Sequence, residues 1–409
     1  MSRPAALLGD PAGGSATRYA GRSRGWRLSF SLVLALAMAT SVYSIPALAV
    51  LSGLLIEDLS IDRTQFGLVI TVIAASNAAC AMLAGRLVDR IGGRPVLLGV
   101  FAVTAVSAAL LALTPSYPVL LLLAAVAGAP NGANNPSTNK VIAEHVPAGR
   151  RGAVVGTKQS GVQAGMLFCA LSLPPLALAT NWRIALLLVA FVALAGLLVA
   201  MRVLPPEPRS ERMSAGRRAG GRLPGSVRWL TAYSALMGIG GSAVSSFLPL
   251  YAHEELDLTL SVAGAAAATV GLVGMASRIG LGRYMDRMGH VAVPLAVIAG
   301  VAAVSALGLV LATRAVWLLW IAVALAGVSI ATWNAFTMMA AITETAELAG
   351  RMTGFLVLGF MGGFAVGPVL FGSSVDRTGG YAVGWLTVAA VFCLAALLML
   401  AWWVTRRRR

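Results

Sequence analysis

Charged side chains are scarce in this sequence. Lysine, arginine, aspartate and glutamate make up 11% of the 409 residues, whereas soluble domains carry about 25%. Hydrophobic residues make up 58%, and they form runs of about the 20 residues that a helix needs to cross a membrane. The sequence therefore predicts an all-α integral membrane protein with twelve transmembrane helices. These spans, numbered 1 to 12 in chain order, are 28–51, 65–85, 95–113, 117–142, 153–178, 183–203, 229–251, 261–282, 291–312, 315–340, 352–374 and 381–404.

Cysteine and histidine are also few, with three of each. Cys80, Cys169 and Cys393 fall inside apolar runs, and their spacing is not typical of a disulfide or a metal site. No convergent set of nucleophile, base and metal-ligating residue types emerges along the chain. We therefore expect no enzymatic activity, no metal and no cofactor.

Acidic residues number 15 against 31 lysines and arginines, which gives a net charge of +16. If the N-terminus is cytoplasmic, all the basic residues except Arg63, Arg183, Arg314 and Arg377 fall in cytoplasmic loops or at cytoplasmic span ends. This distribution follows the positive-inside rule and predicts that both termini are cytoplasmic. Nucleic-acid binding would need a basic soluble domain, and the sequence has none.

A short polar motif occurs twice. Gly85-Arg86-Leu87-Val88-Asp89-Arg90-Ile91-Gly92 follows span 2, and Gly282-Arg283-Tyr284-Met285-Asp286-Arg287-Met288-Gly289 follows span 8. Each copy lies between two apolar runs, so we predict two tight polar hairpins. Six residues separate Glu144 from Arg151 and Glu344 from Arg351, and these pairs follow spans 4 and 10.

The repeats predict two equivalent six-helix bundles. The expected parts are a disordered cytoplasmic tail (1–27), a first bundle (28–203), a cytoplasmic linker (204–228), a second bundle (229–405) and a basic tail (406–409).

The duplicated Gly-x-x-x-Asp-Arg-x-Gly motif resembles the signature of the major facilitator superfamily (MFS), and the likeness covers residues 28–405. It implies alternating access, in which spans 1, 4, 7 and 10 line a central cavity and spans 2, 5, 8 and 11 form the seam between the bundles. Ion pairs among the motif residues would close the cytoplasmic end; the alternative is that these charges only fix orientation. The candidate gating residues are Gly85, Asp89, Arg90, Arg94, Glu144, Arg151, Gly282, Asp286, Arg287, Glu344 and Arg351.

Small residues recur in three seam spans. Span 11 carries Gly359, Gly363 and Gly367 at four-residue spacing, span 5 carries Gly152, Gly156, Gly161 and Gly165, and span 8 begins with Gly264 followed by four alanines. Small residues let helices pack closely. Under the MFS resemblance these faces would slide or rock at the seam, and static close packing is the alternative.

Two cations lie well inside the spans, away from the span ends, where a charge is costly and therefore a functional candidate. Arg278 in span 8 and Lys158 in span 5 are expected at similar depth in opposite bundles, where they could hold an anion between them. The alternative for Arg278 is that its side chain extends to the membrane surface. Its position resembles that of the carboxylate-binding arginine of monocarboxylate and oxalate–formate transporters. Lys158 is one of only two lysines, the other being Lys140.

Neutral polar residues also occur inside the spans. They would orient a substrate through hydrogen bonds, or they would bond neighbouring helices to one another. Those taken as candidate substrate contacts are Asn131, Asn134, Asn135, Gln159, Asn334, Trp333 and Tyr43.

The sequence therefore predicts a secondary transporter of a small organic anion such as a carboxylate, coupled to a proton or a counter-anion. None of the acidic residues lies in the middle of a span, so the embedded carboxylate of proton-coupled drug exporters is missing. Efflux of lipophilic or drug-like compounds is the alternative, and a membrane-embedded nutrient sensor is a third. Arginine-, alanine- and glycine-rich composition suggests a bacterial inner membrane, where we expect a monomer in contact with lipid.

Overall fold

The computed structural model describes residues 23–206, 224–285, 291–344 and 349–407, and these ranges are helical with no strand. Spans 2 to 12 are single helices. Span 1 comprises three helices, Arg24–Ser41, Ser44–Val50 and Ser52–Leu59, and the first two are bent by 52° relative to each other. The other spans are Arg63–Ile91, Gly93–Ala112, Tyr117–His145, Ala148–Ala179, Trp182–Val203, Ser226–Glu254, Leu260–Met285, Ala292–Ala312, Trp317–Glu344, Ala349–Thr378 and Ala382–Arg407.

Ten of these helices are long and apolar enough to cross a membrane, and the bent first pair makes an eleventh. Span 4 has 29 residues and is long enough to cross, but it is not among the helices apolar enough by composition, because Pro130, Pro136 and several asparagines interrupt its apolar run. It packs against spans 2 and 3 within the first bundle. The predicted all-α membrane fold is confirmed.

The two bundles repeat one packing pattern. Spans 1 and 5 pack as spans 7 and 11 do, spans 2 and 4 as spans 8 and 10, and spans 3 and 6 as spans 9 and 12. Between the bundles, span 2 contacts span 11 and span 5 contacts span 8, as the MFS resemblance implies. The Ser44–Val50 segment of span 1 also packs against span 7.

The sequence predicted that the first copy of the polar motif forms a hairpin loop, but the structure shows that most of it is helical. The span 2 helix continues through Gly85, Asp89 and Arg90 to Ile91, and only Gly92 breaks it, with φ of 96°. No residue between Gly85 and Ile91 interrupts helical hydrogen bonding, and Gly92 adopts a positive φ at no steric cost. The charges therefore lie on the last turns of a helix. In the second copy, Asp286 and Arg287 lie outside the described residues.

The glycine rows pack inside the bundles rather than at the seam. Gly161 and Gly165 lie against the backbone of Ala35 and Ala39 in span 1. Gly359, Gly363 and Gly367 lie against span 7 in the same way. Of the predicted seam glycines, Gly264 packs against span 5, whereas the seam between spans 2 and 11 uses Gly67 and Gly372, which were not among those predicted. The rows therefore hold spans 5 and 11 within their own bundles.

Gly363 and its neighbour Gly362 make a matched test of this packing. A Cβ at Gly363 would lie well inside contact distance of the Ala235 carbonyl oxygen, whereas a Cβ at Gly362 would meet nothing within 4 Å. We expect Gly363→Ala to lower the free energy of unfolding by about 1–3 kcal/mol, because overpacking forces the helices apart. Gly362→Ala should leave it unchanged. Thermal unfolding in detergent measures both, and equal midpoints for the two variants would contradict this account.

Candidate functional site

The bundle has two chemically different ends. The basic end carries Arg90, Arg94 and Arg151, together with the beginning of span 1. The closed end carries Arg63 at the start of span 2 and Glu254 at the end of span 7. The hydrogen bonds between the bundles for which both partners are described involve the first nine residues of span 2, at the closed end.

Arg278 of span 8 is exposed although it lies within the bundle. Its Nε donates to the carbonyl oxygen of Ala331 in span 10 at 2.5 Å, which fixes the side chain. None of the ion pairs among the described residues involves Arg278. The terminal nitrogens of the guanidinium therefore form a fork of donors, the geometry that binds a carboxylate through two hydrogen bonds.

Lys158 of span 5 is enclosed, with 1% of its surface exposed. Its Nζ donates to Asn139 Oδ1 at 2.6 Å, Thr138 Oγ1 at 2.9 Å and Asn135 Oδ1 at 3.3 Å. All three partners are neutral and lie on span 4. The ammonium group thus has its three donors occupied and no carboxylate beside it among the described side chains. Arg278 is exposed, whereas Lys158 is enclosed.

The candidate asparagines and glutamine of spans 4 and 5 have different surroundings. Asn134 is fully buried and its amide donates to Ser41 Oγ of span 1 at 2.7 Å, so it bonds two helices. Asn135 and Gln159 are exposed, and Asn131 is half-buried. Asn139 was not among the candidates, although it accepts the shortest Lys158 bond. Its spacing of four residues from Asn135, on the same helix face, was the available signal.

The aromatic candidates lie inside their own bundles. Tyr43 is 1% exposed and its hydroxyl bonds Ser107 Oγ of span 3 at 2.9 Å. Trp333 is buried, with its ring 5.0 Å from that of Phe360. Asn334, the next residue, is half-buried.

An apolar recess lies between the bundles, toward the closed end from Arg278. Spans 1, 5, 7 and 8 contribute its walls, which include Pro46, Ala49, Met166, Val244, Ala267 and Val270. Ser245 is the polar residue in the lining, and its hydroxyl already donates to the Gly241 carbonyl at 2.8 Å.

The candidate gating residues at the basic end bond within the first bundle where their partners are described. Arg94 donates to the carbonyl oxygens of Leu204 and Met201, both at 3.2 Å. Arg151 donates to the carbonyl oxygens of Val146 and Ala143, at 2.9 and 2.8 Å.

The other candidate gating residues at the basic end are described only in part. Glu144 lies 3.5 Å from Lys140, four residues earlier in span 4. Asp89 and Arg90 are exposed, and a Cβ at Gly85 would meet nothing within 4 Å. The description of the structure does not extend to Asp286 and Arg287, to the surroundings of Gly282, or to the side chains of Glu344 and Arg351.

An ionic network joins the bundles at the closed end, and the sequence did not predict it. Arg63 Nη2 lies 2.7 Å from Glu254 Oε2, and the Tyr381 hydroxyl donates to the same oxygen at 2.5 Å. Asp376 of span 11 accepts from the backbone N–H groups of Arg63 and Thr64, at 3.2 and 2.6 Å. Burial and the neighbouring Glu254 carboxylate raise the pKa of the Tyr381 phenol above its usual range, so the hydroxyl stays protonated and donates.

Comparison with known proteins identifies the architecture. The sequence model of the Major Facilitator Superfamily matches residues 28–368. The chain belongs to this superfamily. It is therefore an MFS secondary transporter and a multi-pass membrane protein, as the duplicated motif and the twelve helices indicated.

Its MFS relatives are named for different functions, or for none. A protein of Mycobacterium tuberculosis described as an uncharacterized MFS-type transporter is 27% identical over 342 residues, 81% of this chain and 73% of that protein. The multidrug resistance protein MdtG of Dickeya zeae is 27% identical over 84% of this chain and 85% of its own length. The hexuronate transporter of Bacillus subtilis is 23% identical over 51% of this chain and 49% of its length.

Solved MFS structures agree with the fold. A D-xylose–proton symporter aligns with a TM-score of 0.75 at 18% identity, over 91% of this chain and 97% of its own. The nucleoside transporter NupG aligns with a TM-score of 0.73 at 14% identity, over 92% and 98%. At these identities the likeness shows the fold alone.

Proposed function

We propose that this chain transports a small organic anion, whose carboxylate binds the guanidinium of Arg278. The observation that carries the proposal is the state of that side chain. It is exposed, its Nε donates to the Ala331 carbonyl, and none of the ion pairs among the described residues involves it. A cation inside the membrane is costly unless it is paired. An anionic substrate supplies the missing partner.

Lys158 also favours a negatively charged substrate. Its ammonium is buried against neutral oxygens, so its charge adds to the positive potential that Arg278 creates. One relative, the hexuronate transporter of Bacillus subtilis, is named for an anionic sugar acid.

Alternating access would move this site between the two sides of the membrane. The described hydrogen bonds between the bundles lie at the closed end, which therefore acts as one of the two gates in this proposal. The basic end faces the cytoplasm of a bacterial cell in this proposal, since it carries most of the arginines.

Uptake into liposomes tests the proposal. The purified chain is reconstituted, and uptake of labelled monocarboxylates is compared with that of the corresponding uncharged amides, against protein-free liposomes. Saturable uptake of an acid but not of its amide supports anion transport. Export of lipophilic cations or neutral drugs, with no acid transported at any pH gradient, would instead favour drug efflux. The apolar recess and the multidrug relative favour that second candidate.

Lys158→Met separates the charge of the ammonium from its packing. A buried charge with no counter-ion destabilises the folded state, and Asn135 and Asn139 are exposed enough to bond water once it is gone. We expect the variant to raise the free energy of unfolding by about 1–3 kcal/mol and to weaken anion uptake. Thermal unfolding and half-saturating concentration measure the two effects.

Lys140→Met is the control, because Lys140 is partly exposed and lies beside Glu144. It should change neither quantity. A Lys158→Met protein that is less stable and transports anions normally would show that the ammonium is purely structural.

A further inference from the structure

The walls of the apolar recess limit what part of a substrate can enter it. Backbone and side-chain carbon surround it, and the one polar side chain in its lining is already satisfied by Gly241. A carboxylate that entered would lose its hydrogen bonds to water and gain none, and a hydroxyl would find only the Ser245 oxygen as an acceptor, so both lose free energy. An alkyl group would gain free energy by leaving water.

The recess is also close to the guanidinium. A side chain on a helix tilts toward the N-terminus of the helix, so Arg278 leans toward Gly274 and Val270. Its Nε partner, Ala331, faces Gly274, because a Cβ at Gly274 would lie 2.7 Å from the Ala331 Cβ. Val270 lines the recess one turn beyond Gly274. The donors and the recess are thus one to two turns apart, roughly 6–10 Å at 1.5 Å per residue.

The size of the recess sets the length of the alkyl group. Its volume is about 40 Å³, which is room for about three water-sized groups. A short alkyl chain fits that space, whereas an aromatic ring or a sugar does not.

We propose that the recess is a selectivity pocket for the apolar end of a short aliphatic monocarboxylate, whose carboxylate binds Arg278. This inference rests on the anion transport proposed above and narrows it to one substrate class. Dicarboxylates and hydroxylated acids are excluded because they would bring a polar group into the recess. Longer acids are excluded because their alkyl chains exceed the volume of the recess.

A homologous series of acids tests the pocket. Binding of acetate, propionate, butyrate, pentanoate and hexanoate to the full chain in detergent is measured by ligand-induced thermal stabilisation, which avoids passive permeation of the acids. We expect affinity to rise about three- to fourfold with each methylene up to butyrate or pentanoate, and then to fall. Succinate and 4-hydroxybutyrate should bind at least about tenfold more weakly than butyrate.

Two variants change the volume in opposite directions. Ala267→Leu fills the recess, so it should weaken butyrate about tenfold while acetate binding is retained. Val244→Ala enlarges it, so it should move the optimum to a longer acid. Ala390→Leu, the same enlargement at an exposed position of span 12, should leave the series unchanged. Retained acetate binding shows that a variant is folded, and Val244→Ala carries the test if Ala267→Leu does not fold.

The two proposals fail in different ways. Equal affinities along the series, tighter binding of succinate or 4-hydroxybutyrate, or an unchanged optimum in Val244→Ala would overturn the selectivity pocket and leave carboxylate binding intact. If no acid of any length stabilises the chain, anion transport itself is wrong.

Discussion

Arg278→Gln is expected to reduce carboxylate uptake by about 10- to 100-fold at a fixed substrate concentration. A hydrogen bond to a charged group contributes about 1.5–3 kcal/mol, so the loss of one bond of the guanidinium fork is enough for a reduction of this size. Glutamine keeps polarity but is shorter and has no charge. The measurement is initial uptake into liposomes per folded transporter, with the folded fraction taken from gel filtration.

Two further variants make the Arg278 result specific. Arg278→Lys keeps the charge but loses the planar fork, so it should fall between the original protein and Arg278→Gln. Arg314→Gln removes an exposed arginine near the closed end and should leave uptake unchanged. Full uptake by Arg278→Gln would remove the basis of the proposed function.

Glu254→Gln is expected to release the closed end. Arg63 and Tyr381 both donate to one oxygen of this carboxylate. Glutamine places a neutral amide at the same position, so the ion pair with Arg63 is lost. Because the pair is part-exposed, we expect a loss of about 1–2 kcal/mol, which changes the ratio of the two conformations about 5- to 30-fold. Spin labels at Glu57→Cys and Thr378→Cys, in a chain whose native cysteines are replaced by serine, would report it as a new longer distance.

The neighbouring residue and a charge exchange are the controls for this network. Glu255→Gln removes an adjacent exposed carboxylate and should not alter the distance distribution. Arg63→Glu combined with Glu254→Arg restores opposite charges and should recover the short distance. If the exchange behaves like Glu254→Gln alone, the ion pair does not hold the bundles together.

The fold could be predicted from the sequence because each span is a continuous apolar run and the motif around Asp89 occurs twice. Helix ends were less accessible. The sequence indicates where polar residues begin. In the structure, helical hydrogen bonding continues past Gly85, Asp89 and Arg90 and stops at Gly92, which has a positive φ. The bend within span 1 lies in the short polar segment from Thr40 to Ser44, just before Pro46, and a hydropathy average over the whole span does not reveal it.

The candidate site was only partly accessible, for a different reason. Arg278 was found because a charge inside an apolar run is visible in one dimension. The enclosure of Lys158 depends on which face of span 4 meets span 5, and that is decided by packing. The Arg63–Glu254 pair joins residues of different bundles, although Arg63 was already visible as one of four exceptions to the positive-inside rule.

The two lysines give this chain a built-in chemical reporter. Lys140 is partly exposed, whereas Lys158 is enclosed by Asn135, Thr138 and Asn139. Amine-reactive esters modify only uncharged, accessible amines, so Lys140 and the N-terminus should be acylated while Lys158 is protected. Acylation at Lys158, read by mass spectrometry, therefore records the moments at which spans 4 and 5 separate, with no residue engineered into the chain.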